Sequence, residues 1–259
     1  MSADGNCGSI AVDAVEGGEL LGTRTTFNGF KLSTRIVPAG DAVRGGDWCE
    51  TFAVSDTVVA LSIGDVCGHG PGVHASMLRT RRSVRDAASR GLDPAQTLAA
   101  VNAALALEEP GLYVSALFAL LDTTSYAFTY ANAGHPPPLM AGSFGQRFIE
   151  SAEADLLLGV DPAATPSLHT AHLPADTLLV MYTDGVTDRE RDGALGQRQL
   201  RKATVLARKF RRVAASLILE REMALTGSGH DDAAILTAWT PPLNMFSRSV
   251  DGRSQPIVS

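Results

Sequence analysis

Aspartates stand where apolar runs end in this chain. "GGDWCETFAV" places Asp47 just before a strand-like run, and "LSIGDVCGHG" places Asp65 just after one. "LLVMYTDGVTD" puts Asp184 after a third run, and "GSGHDDAAIL" puts Asp231 and Asp232 before a fourth. A carboxylate at the rim of a buried strand loses hydration, so it needs a cation, hydrogen-bond donors or a turn to cap. Taken singly, each is explained by an Asx turn or a helix cap. If the strands belong to one packed pair of sheets, their ends converge at one edge. Several carboxylates gathered there repel unless cations neutralise them. An all-oxygen donor set suits hard ions such as Mg2+ or Mn2+. Two such ions ~3.5–4 Å apart can activate a water and clamp a phosphate for in-line displacement. The chemistry these residues suggest is metal-assisted hydrolysis of a phosphate ester.

The elements that must position them are legible from periodicity. "TVVALSIGD" alternates, with Val59, Leu61 and Ile63 on one face, as a strand does. In "PGVHASMLRTRRSVRDAASRG", Val73, Met77, Val84 and Ala88 recur at helical spacing, and Gly91 fits a C-terminal cap. "LDPAQTLAAVNAALAL" opens a second helix with Asp93 as N-cap and Pro94 at the first turn. Strands follow in "YVSALFALLD", "YAFTYANAG" and "TLLVMYTDG", the first two joined by a two-residue "TT" hairpin link. A long helical stretch then carries Leu206, Phe210, Val213 and Leu217 at spacings of four, three and four. "DDAAILTAW" closes the set as a last strand. Strands and helices come in blocks, so an α+β fold with antiparallel sheets is expected, not a doubly wound parallel sheet.

The bulk numbers suit one large domain. There are 259 residues, 45% hydrophobic and 19% charged, with a net charge of −6, which argues against nucleic-acid binding. Residues 189–225 nevertheless hold ten of the 22 basic residues and four of the 28 acids. This segment reads as a solvated helical face, with Lys209 to Arg212 a candidate docking surface. Cys7, Cys49 and Cys67 make neither a disulfide framework nor C-x-x-C spacing, which suits a reducing, cytoplasmic setting. Neither a signal peptide nor an apolar run of ~18 residues is seen, so no membrane association is expected. Residues 1–25 read as loosely ordered, 26–240 as the domain and 241–259 as a flexible tail.

Rival chemistries lack their residues. A cysteine phosphatase needs Cys-x5-Arg, but six residues after the three cysteines stand Asp13, Ser55 and Val73. No G-x-x-x-x-G-K-[ST] loop occurs, and "AGSFG" and "TGSGH" miss G-x-S-x-G. His69, His74, His169 and His172 do not make H-E-x-x-H, so zinc is disfavoured. His135, in "NAGHPPPLM", reads as part of a structural turn rather than as a ligand or proton donor.

Five segments together, "GGDWCE", "IGDVCGHG", "YANAGHPPPLM", "YTDGVTD" and "DDAAILT", resemble in order and separation the PPM-type metal-dependent serine/threonine phosphatases. The similarity is to the bacterial branch that includes SpoIIE and RsbU, and spans roughly residues 28–240. The resemblance implies a four-layer α-β-β-α sandwich, two antiparallel β-sheets flanked by helices. It implies two Mn2+ or Mg2+ ions, with Asp65 bridging them and Asp47 and the Val66 carbonyl on the second. Asp184 and Asp231 complete the shell of the first, and Asp232 is the alternative to Asp231. Asp65 and Asp47 are thereby the catalytic candidates. The chain departs from the family's pattern at Cys49, Glu50 and Cys67, and Cys67 is a candidate for oxidation or soft-metal sensitivity. The match does not secure a general-acid role for His69, and Arg44 is the one candidate phosphate-binding arginine. The implied partners are a phosphoprotein substrate such as an anti-sigma factor antagonist, a separate regulatory protein and a second copy in a homodimer. The competing reading is a catalytically silent phosphatase fold serving as a signalling or binding module.

Overall fold

A computed structural model describes residues 22–39, 45–68, 71–150, 155–188, 193–225 and 231–242. Arg44, His69 and all but the first two residues of the expected C-terminal tail lie outside these residues, as does most of the expected N-terminal segment; Pro241, inside that tail, is buried and accepts the Asp176 N–H at 3.2 Å. The first strand, β1 (Gly22–Phe27), begins inside the stretch expected to be loosely ordered. It pairs along its whole length with β2 (Phe30–Val37).

Two antiparallel sheets carry the molecule. Next in the chain come β3 (Asp47–Ala53), β4 (Val58–Val66), helices α1 (Pro71–Ser89) and α2 (Pro94–Glu108), β5 (Val114–Asp122) and β6 (Ala127–Ala133). Short strands β7 (Leu139–Gly142), β8 (Gly145–Phe148) and β9 (His169–His172) precede β10 (Leu178–Tyr182). Helices α3 (Gly193–Lys209) and α4 (Ala215–Glu222) lead to β11 (Ala233–Trp239). The first sheet runs β1-β2-β11-β10-β7-β8 and the second β3-β4-β5-β6-β9.

Alternation along the strands builds three apolar layers. Val59, Leu61 and Ile63 of β4 meet Leu117, Leu121 and Phe128 and, from the other sheet, Leu32, Met181 and Leu236. The opposite face of β4, Ala60 and Val66, packs with Trp48, Met77, Val84, Leu98 and Val101 under α1 and α2. On the far side, Val180, Tyr182 and Ile235 pack against Leu200, Ala203 and Leu219 of α3 and α4. The order is therefore helix, sheet, sheet, helix, the expected four-layer sandwich. Central strands are covered on both faces, which is why β10 and β11 are apolar at nearly every position.

The helix boundaries follow the sequence signals. Asp93 accepts the Gln96 N–H at 2.8 Å while the Gln96 side chain reaches back to the Asp93 N–H, a reciprocal cap with Pro94 in the first turn. Gly91 adopts φ +77°, the left-handed conformation that ends α1 at little cost. Among the described residues, no helix is long and apolar enough to cross a membrane.

Three expectations are corrected. The β5–β6 link has four residues, not two. Asp122 captures the Thr124 N–H at 2.8 Å, and Tyr126 takes φ +61° to re-enter the sheet. The long helical stretch breaks between Lys209 and Ala215, so the spacing of Leu206, Phe210, Val213 and Leu217 runs across two helices, and the last three are about half exposed. The basic segment is no single solvated face. Arg201 lies over the Phe148 ring, Arg208 donates to the Gly142 carbonyl, and Arg211 pairs with Asp176.

Close approach constrains one position beside the acids. Gly64 faces the Trp48 indole, and a Cβ there would lie 2.6 Å from the Ser115 carbonyl oxygen and closer still to the ring. Gly64→Ala is expected to destabilise the protein by about 1–3 kcal/mol, the usual cost of overpacking. Urea denaturation checks this; an unchanged midpoint would show that Trp48 gives way freely.

Candidate metal centre

Strand direction brings the acids to one edge. Because β3 and β4 are antiparallel, the start of one lies beside the end of the other, and Asp47 stands directly opposite Asp65. In the other sheet β10 and β11 are also antiparallel, with Tyr182 opposite Ile235. The residues just after β10 and just before β11 therefore share an end, placing Asp184 near Asp231 and Asp232. Asp184 opens a short 3-10 turn, Asp184–Val186.

Thr183 ties the two sheets together at this edge. Its hydroxyl donates to Asp47 Oδ2 at 2.6 Å and accepts the Ala234 N–H at 2.8 Å. Asp232 does different work. Its Oδ1 accepts the Ala39 N–H at 2.8 Å and its Oδ2 the Gly46 N–H at 2.9 Å, holding the chain on either side of residues 40–44. Gly45 has no room for a Cβ against that carboxylate. Among the described residues, Asp231 carries no such backbone load beyond the N–H of its neighbour, at 2.9 Å, and it is exposed. This division supports Asp231 over Asp232 as the acid free to meet an ion.

Burial is graded across the cluster. Asp47 is 4% exposed, Asp65 is half-buried, and Asp184 and Asp231 open to solvent. Burial raises the Asp47 carboxyl well above the ordinary range, and the neighbouring Asp65 adds to this. Burial and then the Asp184 charge push Asp65 up to about 6. Asp184 is raised by burial and by Asp231, and Asp231 is raised chiefly by burial. No salt bridge to any of these four acids is formed among the described residues. Uncompensated like charge at one edge is the electrostatic signature of a cation site.

The donor chemistry fits a hard divalent ion. All the converging side chains offer oxygen, and Gly46 leaves the Val66 carbonyl uncovered: a Cβ there would sit 2.8 Å from that oxygen and 3.3 Å from Asp65 Oδ1. Among the described residues, no group of three or more His, Cys, Asp or Glu side chains stands close enough together to enclose a metal ion. Mg2+ does not need one, because it keeps several waters and is held by one or two carboxylates.

The remaining candidates sort by position. His169 and His172 lie on edge strand β9, and His74 Nδ1 approaches the Gly45 carbonyl at 3.3 Å, so these histidines form no common site. His135 is buried, and burial lowers its imidazole to about 3, so it is neutral and no proton donor near neutral pH. Asn132 closes the turn around it, accepting its N–H at 2.7 Å and donating to its carbonyl at 2.9 Å. Cys49 is buried with its thiol pushed up to about 12, and burial and Asp65 raise Cys67 as well, which disfavours thiolate chemistry at both. Sequence reasoning missed Thr183 and Asp188. Asp188 adds negative charge beside Asp184 and Asp231. The repeated acid in "YTDGVTD" was the available signal.

Two outcomes follow from this geometry. Asp232→Ala leaves the Ala39 and Gly46 N–H groups without their acceptor and is expected to cost about 1–3 kcal/mol in denaturant melts, with Asp232→Asn milder. The second concerns pH. The folded-state Asp65 carboxyl lies near 6 against 3.8 for the free side chain, so between those values the folded protein binds more protons than the unfolded chain. Its contribution to stability therefore falls as pH rises through that window. Calorimetry of metal-free protein from pH 4 to 7 should show a steeper loss of melting temperature in wild type than in Asp65→Asn. Parallel curves would contradict the assigned charge crowding.

Comparison with known proteins agrees with this architecture. Residues 55–241 match the family model of Stage II sporulation protein E (SpoIIE). Over 186 residues the chain is 25% identical to phosphoserine phosphatase RsbU of Bacillus subtilis (strain 168), covering 71% of this chain and 55% of that protein. The chain thus spans about half the length of that relative. Among solved structures, the RsbU and RsbW domains of a Mycobacterium tuberculosis protein superpose with a TM-score of 0.68 at 28% identity, over 80% of this chain and 60% of that one. RsbX in complex with magnesium shares the fold, with a TM-score of 0.61 at 16% identity, over 89% of this chain and 99% of that one. The matched segment holds most of the chain and three of the four converging acids at the positions the fold brings together: the chain belongs to the SpoIIE family of PPM-type phosphatases.

Proposed function

We propose that this domain is a metal-dependent protein phosphatase that hydrolyses phosphoserine and phosphothreonine on a regulatory protein. The observation that carries the reading is Asp47 directly opposite Asp65, with Asp184 and Asp231 from the other sheet in electrostatic reach and no salt bridge to any of them among the described residues. Such an edge gains stability and function together when divalent ions sit in it.

In this reading Asp47, Asp65, Asp184, Asp231 and the Val66 carbonyl would hold two Mn2+ or Mg2+ ions. Bound there, they supply Lewis-acid polarisation of the phosphoryl oxygens and a water acidified enough to attack at neutral pH. The protein's own residues prepare the place. Thr183 donates to one Asp47 carboxylate oxygen and so holds that side chain in place. Asp232 anchors the Gly46 backbone and keeps the approach to the Val66 carbonyl open. Asp184 and Asp231 stand at the solvent mouth, where a phosphorylated side chain on another protein can arrive. Ester cleavage adds water across the P–O bond, giving free serine or threonine and inorganic phosphate.

The substrate assigned by family likeness is a phosphorylated anti-sigma factor antagonist or a similar regulator. The other partners in this reading are a separate regulatory protein and a second copy of the chain.

Assays with p-nitrophenyl phosphate and with phosphoserine and phosphothreonine peptides test the reading. Turnover should require Mn2+ or Mg2+, stop with EDTA and return on adding metal. Asp65→Asn should lower kcat by about a hundredfold or more, consistent with loss of charge stabilisation at the reacting phosphoryl group. A folded protein with no turnover in either metal would instead be a signalling module on a phosphatase fold.

A further inference from the structure

His135 stands where the chain crosses from one sheet to the other, between β6 and β7. The crossing is tightly set. Gly134 takes φ +65° against Leu157, and Asn132 clasps both main-chain groups of His135. The ring is 5% exposed, and its Nδ1 lies 2.9 Å from Ser115 Oγ. Ser115 is the residue of β5 directly opposite Asp65. The ring also faces the Tyr182 backbone carbonyl, while Nε2 is buried with no hydrogen-bond partner among the described residues. Tyr182 ends β10, two residues before Asp184. One imidazole thus touches the strand that neighbours Asp65 in the second sheet and the strand that delivers Asp184 in the first.

We propose that His135 is a positioning residue for the metal centre, a strut between the two sheets that sets the separation of Asp65 from Asp184. The inference rests on the reading that these carboxylates hold divalent ions. A turn alone needs only the Asn132 clasp, Gly134 and the prolines. An imidazole held between two sheets needs a further reason, and the acids at that end of both strands supply one. With Nδ1 accepting from the Ser115 hydroxyl, the proton resides on Nε2, on the part of the ring left to face the Tyr182 carbonyl, so the ring spans from one sheet toward the other. Removing the ring leaves the Ser115 hydroxyl without its partner and frees the two acid-bearing strand ends to drift apart under their own repulsion.

Mn2+ titration calorimetry on the full chain tests this independently of turnover. His135→Ala should weaken Mn2+ binding by about 10–100-fold, the range for residues that orient ligands. Ser115→Ala should weaken it several-fold, and the double variant should resemble His135→Ala, because both residues act through one contact. A residue that merely stabilises the turn would lower the melting temperature and leave the affinity of the folded protein unchanged. Folded His135→Ala with Mn2+ affinity within about twofold of wild type, or losses that multiply in the double variant, would overturn the proposal. If His135→Ala does not fold, Ser115→Ala decides: undiminished affinity there overturns it. Wild type that binds neither Mn2+ nor Mg2+ would remove the metal reading and this inference together, whereas wild-type binding with unaltered variants removes the inference alone.

Discussion

Repulsion between carboxylates that the backbone forces together governs this molecule. Asp47 and Asp65 cannot move apart without breaking the β3–β4 ladder, because they are register partners at its end. Asp184 and Asp231 arrive from the other sheet by an equally fixed route, through the β10–β11 pairing. Burial raises the proton affinity of every one of them, and Asp65 raises that of Asp47, Asp184 that of Asp65 and Asp231 that of Asp184. Left alone, such an edge costs stability. It is tolerated because three apolar layers hold the strands in place from both sides, and in the proposed function a divalent cation would offset the cost.

The sandwich serves this end directly. Both faces of the central strands are covered, so the strands cannot twist or slide to relieve charge at their tips. Thr183 spends a hydroxyl between the sheets, with one bond to Asp47 and one to Ala234. Asp232 ties the segments flanking residues 40–44 to the start of β11. His135, reaching toward both sheets, stands in the same neighbourhood. Polar contacts that would be ordinary stability devices elsewhere are concentrated here, where a small shift of a strand end would change the distance between charges.

Much of this was legible in the chain. The alternation of Val59, Leu61 and Ile63 set the inner face of β4, and Asp93, Pro94 and Gly91 marked helix ends, because these signals are local and steric. Signals that depend on distant partners were weaker. Phe210, Val213 and Leu217 kept a helical spacing, yet the chain turns at Phe210 and leaves them about half exposed. The cations of the basic segment looked free, but Arg201, Arg208 and Arg211 find partners on β7, β8 and the loop before β10. Thr183 escaped notice because its acceptor lies 136 residues away in sequence.

The sequence by itself determined which residues bring negative oxygen to strand ends, since hydrophobic runs and the acids that stop them are written in order along the chain. Only the tertiary structure decided what each acid touches. Asp231 and Asp232 are indistinguishable as letters. Neighbouring side chains in extended backbone point to opposite sides. One therefore turns to the Ala39 and Gly46 amides, while the other opens toward Asp65 and Asp184.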